Sequence, residues 1–330
     1  MFPFFQGHPF FQAFLGAHGL TALSLRVEAL TADASIHWES LRRLTLVTNH
    51  GNGETPGSHL VLPILRQCSH LETLNVDFDF SMDLQQSLDP QPPCDLPHLR
   101  RLSVSGCAWA LLRSINSAPE LRILPYVLDR VTTVETPSPL VRLVSCSNQL
   151  QCLRLDMTSV SSDTLMVVLG AIPTLRELTL RGEPRIKAQP GAPRHRDSLV
   201  VPMLTPNPNP TPTVICPRLK HLKLVHLHAL SDEDLLAFVL ARTDPNISDA
   251  TQMACLSELT MQSNRWCQVD IIPSLELQMV GWLKVNLVYH PKPNFETYSV
   301  AHANDSSYVW DPSAREWDMP DVNTGWYGHP

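Results

Sequence analysis

The fold is decided by residues 96–106, which read Leu-Pro-His-Leu-Arg-Arg-Leu-Ser-Val-Ser-Gly. Leu99, Leu102 and Val104 are the apolar residues at positions one, four and six of the phrase that begins at Leu99. Leu102 and Val104 are two residues apart, so they point to the same side of a short extended strand. The residues beside them point to the other side. The stretch therefore predicts a strand with one buried side and one side that faces solvent.

The same phrase, Leu-x-x-Leu-x-(Leu, Val or Met), recurs along most of the chain. Eight full copies are present, and a ninth, weaker copy has Tyr126 in the third apolar position. The copies begin at Leu20, Leu41, Leu71, Leu99, Leu121, Leu150, Leu175, Leu219 and Leu256. Stretches compatible with helix lie between them at residues 60–67, 109–116, 163–171 and 232–241, and Ser231 with Asp234 has the form of a capping box. Most intervals between copies are close to the 20–29 residues of a leucine-rich repeat.

Repeated strand–helix units cannot bury their apolar sides alone, and stacking gives them one continuous core. The sequence therefore predicts an α/β fold, a leucine-rich-repeat solenoid of about nine irregular repeats. Its parallel sheet is expected on the concave face and its helices on the convex face. Proline two residues before the first leucine supports the repeats in four copies, at Pro97, Pro119, Pro173 and Pro217. The alternative is a leucine-rich α/β globular protein in which the phrases recur by chance. Nine copies in phase argue against this alternative.

Composition divides the chain into three parts. Residues 1–19 are rich in phenylalanine and are expected to cap the first repeat. Residues 20–287 form the solenoid, with a loop at residues 184–217 that holds nine prolines. Residues 288–330 contain no leucine but are acidic and aromatic, with six Asp or Glu against two Lys or Arg. This last part is either a cap over the final repeat or an interaction segment.

Charge, hydropathy and motifs exclude several classes of function. A net charge of −7 argues against a nucleic-acid partner, and no apolar run is long enough for a membrane helix. No secretion signal opens the chain, so we expect a cytoplasmic or nuclear protein whose eight cysteines are reduced and mostly buried. The sequence has no P-loop, dinucleotide-binding, nucleophile-elbow or zinc-protease motif. We therefore expect no enzyme activity, no catalytic or metal-binding residues and no cofactor.

What remains is the solvent-facing side of the strands, where charges of both signs alternate with small polar residues. This mixture suits a protein or peptide ligand better than a phosphate backbone. The residues predicted to contact such a partner on the concave face are Arg26, Arg43, Thr45, Asn75, Asp77, Arg101, Ser103, Arg154, Asp156, Glu177, Arg181, His221, Lys223, Glu258 and Gln262.

Several phrases resemble the leucine-rich-repeat region of fungal F-box proteins, especially the expanded families of basidiomycetes. The phrases are those at residues 96–106, 118–124, 204–206 with 216–224, and 231–236, and the resemblance covers roughly residues 20–287. It implies that the repeats select a target protein for ubiquitin ligation. In that family an N-terminal F-box binds the adaptor subunit of a cullin-RING ubiquitin ligase.

The sequence departs from the family before the first repeat, where no Leu-Pro-x-Glu-like opening and no forty-residue helical module is found. The adaptor and the cullin are therefore expected as partners only if an F-box exists outside this chain. Three alternatives stay open: a truncated gene product, a fragment, or a stand-alone repeat protein with a scaffold or regulatory role.

Overall fold

A computed structural model of the chain describes residues 17, 19–26, 36–47, 58–78, 93–106, 109–127, 138–157, 160–182, 200–206, 214–227, 230–246, 248, 252–263, 267, 269–278 and 283–289. Residues 1–290 form one compact unit, to which all of these ranges belong, and residues 291–330 form a second unit outside them. Most of the predicted N-terminal cap and of the predicted acidic segment therefore lies outside the described residues.

The described part contains twelve strands. They are β1 (Ala22–Arg26), β2 (Arg43–Val47), β3 (Thr73–Phe78), β4 (Cys94–Asp95), β5 (Arg101–Gly106), β6 (Ile115–Ser117), β7 (Ile123–Val127), β8 (Cys152–Asp156), β9 (Glu177–Arg181), β10 (His221–Val225), β11 (Glu258–Ser263) and β12 (Lys284–Tyr289). Ten of them form one sheet in chain order, from β1 to β12 without β4 and β6. Every neighbouring pair in this sheet is parallel.

Helices connect most neighbouring strands, as parallel pairing requires. They are α1 (Ser58–Gln67), α2 (Trp109–Ser114), α3 (Pro139–Ser145), α4 (Ser162–Gly170), α5 (Val200–Leu204), α6 (Asp232–Thr243) and α7 (Ile272–Gln278), and a short 3-10 helix (Trp38–Ser40) precedes β2. The repeated strand–helix order and the ten-stranded parallel sheet confirm the predicted leucine-rich-repeat solenoid. The helices predicted at residues 60–67, 163–171 and 232–241 are α1, α4 and α6 within a few residues.

The core consists mainly of the two inward-facing apolar positions of each strand. Leu44 pairs in register with Leu74, and Leu74 pairs with Leu102. All three side chains are fully buried. The second position forms a parallel row that includes Leu46 and Val76. Two rows of apolar side chains therefore run across the sheet. From β2 to β11 they are buried wherever the structure describes them, and each repeat shares its apolar surface with the next.

A tight turn leads into most strands, and it explains the repeated prolines. The amide of Leu99 donates to the carbonyl of Leu96 at 3.1 Å, and the first leucines of seven other repeats close the same turn. Pro97 is the second residue of this turn, where its fixed φ angle is favourable. The prolines therefore shape the turn itself, whereas the sequence indicated only that they end the preceding helix and favour an extended strand start.

In the ten-stranded sheet, the residue just before each strand from β1 to β11 makes a second row of contacts, which we call the pre-strand row. It consists of Thr21, Arg42, Glu72, Arg100, Arg122, Gln151, Arg176, Lys220 and Ser257. From Thr21 to Lys220, each carbonyl accepts two amide hydrogens from the next repeat, with N···O distances of 2.8–3.1 Å. These paired hydrogen bonds fix where each strand begins relative to its neighbour, so they set the register of the whole sheet.

Helix starts behave as the sequence indicates. The Ser231 hydroxyl accepts a hydrogen bond from the amide of Asp234 at 3.0 Å and caps α6, which confirms the predicted capping interaction. Ser161 caps α4 in the same way through the amide of Thr164 at 3.1 Å.

One predicted helix is too long. Residues 109–116 were expected to be helical, but α2 ends at Ser114 and the chain continues as β6. Strand β6 pairs with β4 in a second, two-stranded parallel sheet. Ile115 is β-branched and fully buried, and the Asn116 amide donates to the Asp95 carboxylate at 3.0 Å. These contacts favour an extended backbone over a further turn of helix.

The proline-rich segment at residues 184–217 is also not wholly an exposed loop. It contains the short helix α5, in which Val200, Val201 and Leu204 are fully buried, and Cys216 is buried near its end. Proline density misled the prediction here because Pro202 lies in the first turn of α5, where a missing amide hydrogen is tolerated.

The sheet has one more strand than the nine phrases predict. Strand β12 begins at Lys284 and reaches Tyr289, which is inside the segment expected to begin at residue 288. Its Val285 and Leu287 pair with Leu259 and Met261. In this repeat valine replaces the second leucine and Trp282 stands where the first is expected, so a search for leucine phrases misses it.

Gly182 provides a test of the sheet geometry beyond the end of β9. Its amide donates to the Val225 carbonyl at 2.7 Å, and a Cβ atom added there would lie 2.3 Å from the His226 carbonyl oxygen. We predict that Gly182→Ala lowers the free energy of unfolding by about 2 kcal/mol or more, because backbone must move to make room. Urea denaturation measures this.

Gly170→Ala is the matched control, since nothing lies within 4 Å of a Cβ atom at that position. It sits in the last turn of α4, where alanine is at least as favourable as glycine. Equal losses of stability in both variants would contradict the close approach at Gly182.

Candidate binding surface

The side of the ten-stranded sheet that faces away from the core is called here the open face. It corresponds to the predicted concave face and is formed by the first, third and fifth residues of the strands. Its described members form a first row (Ala22, Arg43, Thr73, Arg101, Ile123, Cys152, Glu177, His221, Glu258, Lys284), a middle row (Ser24, Thr45, Asn75, Ser103, Pro125, Arg154, Thr179, Lys223, Thr260, Asn286) and a third row (Arg26, Val47, Asp77, Ser105, Asp156, Arg181, Val225, Gln262, Val288).

All of the residues predicted to contact a partner lie in these three rows. Inward leucines alternate with exposed or half-buried residues along β2, β9 and β10, so the predicted strand register is correct. That these side chains bind a partner stays a prediction. Three described residues of the open face are buried instead of solvent-facing, namely Pro125, Cys152 and Val225.

In the first repeats, open-face side chains contact one another across strands. The amide of Asn75 donates to the Thr45 hydroxyl at 3.3 Å. The Ser105 hydroxyl donates to the Asp77 carboxylate at 2.6 Å. These contacts join Thr45, Asn75 and Asp77, which were predicted site residues, to neighbouring repeats. They restrict the rotamers of these side chains, so a bound partner would remove less side-chain entropy.

Two cations lie close together in the middle row, Arg154 on β8 and Lys223 on β10, with Thr179 between them. Lys223 is half-buried, and its pKa is lowered first by burial and then by the nearby charge of Arg154, while Glu258 acts in the opposite direction. Neighbouring like charges in a partly dehydrated place are unfavourable in the free protein. They become favourable when an anionic group is bound between them.

A carboxylate bordered by Lys284 and His221 lies beside this pair. Glu258 accepts a hydrogen bond from Lys284 Nζ at 2.8 Å, and its other oxygen is 3.4 Å from His221 Nδ1. The hydrogen bond from Lys284 is the main cause of a lowered Glu258 pKa. The open face therefore carries both signs of charge within adjacent repeats, as the sequence predicted.

Burial controls the chemistry of the cysteines. All seven cysteines in the described part are free: Cys68, Cys94, Cys152 and Cys216 are buried, Cys255 is intermediate, and Cys146 and Cys267 are exposed. The prediction of mostly buried cysteines therefore fails at two described positions. Burial raises the pKa of Cys152 to about 11 and that of Cys216 to about 12, so both thiols stay protonated at neutral pH and are poor nucleophiles.

A buried arginine, Arg242 at the end of α6, supports this surface from behind the sheet. Its side chain is fully buried. The guanidinium donates to the carbonyls of Leu204 (2.9 and 3.2 Å), Ile215 (2.6 Å) and Cys216 (3.1 Å), and it lies 5.8 Å from the centre of the Phe238 ring. Burial lowers the pKa of Arg242 to about 10, which still leaves it charged at neutral pH.

The contacts of Arg242 join the two ends of the segment that separates β9 from β10. Leu204 is the last residue of α5, and Cys216 opens the turn that leads into β10. Cys216 has a φ angle of 53°, a left-handed backbone that is unfavourable for a residue with a side chain. Arg242 therefore holds the start of β10, and with it His221 and Lys223, in place.

Sequence reasoning missed Arg242 because a basic residue in the last turn of a helix is ordinary at a surface. Asp232 was missed for a similar reason. It opens α6, where acids are common, yet it is fully buried. Its carboxylate accepts hydrogen bonds from the Val269 amide at 3.0 Å and the Tyr289 hydroxyl at 2.8 Å, and so connects α6 to the last strand.

The fold and this surface define a leucine-rich-repeat protein with a charged open face. Within the described residues, no three His, Cys, Asp or Glu side chains are grouped so that they could hold a metal ion. No helix of the described part has the length and apolar character needed to cross a membrane.

No family model and no curated protein matches the sequence. Two of the similar solved structures are a TLR13–ssRNA13 complex and a Bacteroides fragilis protein solved by a structural genomics consortium. The first has a TM-score of 0.41 at 16% identity over 85% of this chain and 40% of that chain. The second has a TM-score of 0.40 at 15% identity over 76% of this chain and 66% of that chain. This chain thus spans less than two thirds of the length of either structure.

The role of Arg242 can be tested by stability. We predict that Arg242→Met lowers the free energy of unfolding by at least about 3 kcal/mol, because the buried carbonyls of Leu204, Ile215 and Cys216 lose their donor. Arg242→Lys should be nearly as harmful, since a single ammonium group cannot replace the planar fork. Chemical denaturation gives both values.

The matched control is Arg113→Met, which also removes an arginine from the last turn of a helix but at an exposed position. Its cost should stay within about 0.5 kcal/mol. A stable Arg242→Met variant would show that the carbonyl contacts do not hold the segment.

Proposed function

We propose that this protein is a non-enzymatic protein-binding module whose partner lies on the open face. The observation that carries the proposal is the charged centre formed by Arg154, Lys223 and Glu258. Charges of both signs are fixed there in register and partly dehydrated. Such an arrangement discriminates between partners, because a wrong pairing of charges at an interface costs several kcal/mol.

The parallel sheet makes this surface suitable for a large partner. Its rows repeat at the strand spacing of about 4.8 Å, so ten strands offer a surface more than about 40 Å long. A standard interface needs roughly 800 Å² on each partner, which a surface of this length and three rows of side chains can supply. The stacked leucines beneath keep the surface rigid, so little order has to be gained on binding.

The proposal is tested by charge reversal at two open-face arginines. We predict that Arg101→Glu with Arg154→Glu weakens binding of the partner at least about tenfold. The melting temperature should shift by less than about 4 °C because both side chains lie outside the core. Partners are identified by quantitative affinity purification with the wild-type chain, and their affinities are then measured with purified proteins.

Arg66→Glu with Arg113→Glu is the control, with the same change of charge on exposed helical positions. A partner of the open face is retained by this control and lost by the open-face variant. If every partner binds both variants equally, the open face is not the binding surface.

A finer proposal rests on the resemblance to F-box proteins: the chain selects targets for a cullin-RING ubiquitin ligase. It is supported by the sequence phrases alone. Native co-purification tests it, and we predict recovery of the ligase adaptor and a cullin with the endogenous protein. Their absence at native abundance would favour the alternative, a scaffold or regulatory protein without a link to ubiquitin.

A further inference from the structure

The pre-strand row has a charge pattern that neither the fold nor the open face requires. Its side chains lie at the starts of the strands, beside the first row of the open face. Five of its members are cations, namely Arg42, Arg100, Arg122, Arg176 and Lys220, and Glu72 is its one acid. The backbone hydrogen bonds of the row use the carbonyls and amides only, so they place no demand on the side chains.

The first part of this row neutralises itself. Arg42 Nη1 donates to Glu72 Oε1 on the next repeat at 3.0 Å, which shows that side chains of consecutive repeats reach each other. Arg100 donates to Glu120 at 3.3 Å, and Glu120 is also 3.6 Å from His98 Nδ1. Each cation in this part is thus next to a carboxylate.

The second part differs, although the backbone geometry is the same. Arg122, Arg176 and Lys220 are exposed and make no ion pair with any residue that the structure describes. Gln151 separates the first two. Arg176 and Lys220 precede adjacent strands although their residue numbers differ by 44. Like charges on adjacent strands are unfavourable.

We propose that Arg122, Arg176 and Lys220 bind an extended acidic protein segment that runs across the starts of β7 to β10. The spacing fits such a segment. Arg122 and Arg176 are two strand spacings apart, about 10 Å, and Arg176 and Lys220 are one spacing apart, about 5 Å. An extended chain advances about 3.3 Å per residue, so acids two or three residues apart reach successive cations.

The surroundings favour a peptide over a phosphate polymer. Glu177 and Glu258 lie in the first row of the open face, directly after members of the pre-strand row. A polymer with a charge on every unit would meet these carboxylates, whereas a peptide can place neutral residues there. The inference goes beyond the proposed function, since this row can bind acidic segments whether or not a partner occupies the open face.

The test uses a fluorescent peptide of alternating glutamate and glycine, about eight residues long, which at 3.3 Å per residue spans the three cations. Anisotropy at low salt should show binding that weakens as salt is added. Arg122→Gln with Arg176→Gln and Lys220→Gln should weaken it about tenfold or more. Arg66→Gln with Arg113→Gln and Arg142→Gln, on exposed helical positions, has the same change of charge and should change binding less than about twofold.

Three results would overturn the proposal: no binding of the glutamate peptide by the wild-type chain, equal weakening in the two triple variants, or tighter binding of an oligouridylate of the same length. A glutamine–glycine peptide controls for backbone binding and should not bind.

A second variant separates binding from folding. Lys220→Glu places a carboxylate next to Arg176, as Glu72 is next to Arg42 in the first part of the row. The unfolding temperature should therefore stay the same or rise, while affinity for the glutamate peptide falls about tenfold. A lower unfolding temperature would mean that Lys220 serves the fold, and it would contradict the proposal.

Discussion

The structure depends on the paired hydrogen bonds of the pre-strand row. Each carbonyl from Thr21 to Lys220 accepts two amides from the following repeat, so the starts of the strands from β2 to β11 in the ten-stranded sheet are each fixed by the repeat before. A shift by one residue would exchange the inward leucines with the polar residues of the open face. The register therefore holds even where the intervals in sequence are irregular, as between β9 and β10. The long segment between β9 and β10 is accommodated outside the sheet. The amides of Lys220 and His221 still donate to the Arg176 carbonyl, as the corresponding amides do in the other repeats.

Register also separates stability from recognition. The inward positions are nearly all Leu, Val or Met and are buried, so they carry the apolar energy of folding. The outward positions contribute little to the core and are free to vary in charge. The fold therefore tolerates charge repulsion on the open face, as between Arg154 and Lys223 beside Glu258. A solenoid tolerates such repulsion because each repeat is stabilised by its two neighbours.

Features that depend on periodicity could be predicted from the sequence. Leu-x-x-Leu-x-Leu phrases predicted the strands, their parallel order and the residues of the open face, because a period of two fixes which side chains share a side. Strand β12 was not predicted because Val285 replaces a leucine of the phrase. Helix α5 was not predicted because the many prolines around it are typical of a loop. Arg242 and Asp232 could not be predicted, since their burial results from long-range packing: Arg242 reaches residues 204 and 215–216, and Asp232 reaches residues 269 and 289.

Charge distribution adds a constraint that neither composition nor periodicity contains. The chain is acidic overall, with a net charge of −7, yet the open face has seven Lys or Arg against four Asp or Glu in its described part, and the pre-strand row has five against one. Cations are thus concentrated where consecutive repeats place side chains about 5 Å apart. When the repeats stack in parallel, basic residues at the same position of successive repeats become neighbours in one row. The sequences between these positions can differ from repeat to repeat. The backbone that sets the register also determines which charges become neighbours, so in this solenoid recognition is a consequence of register.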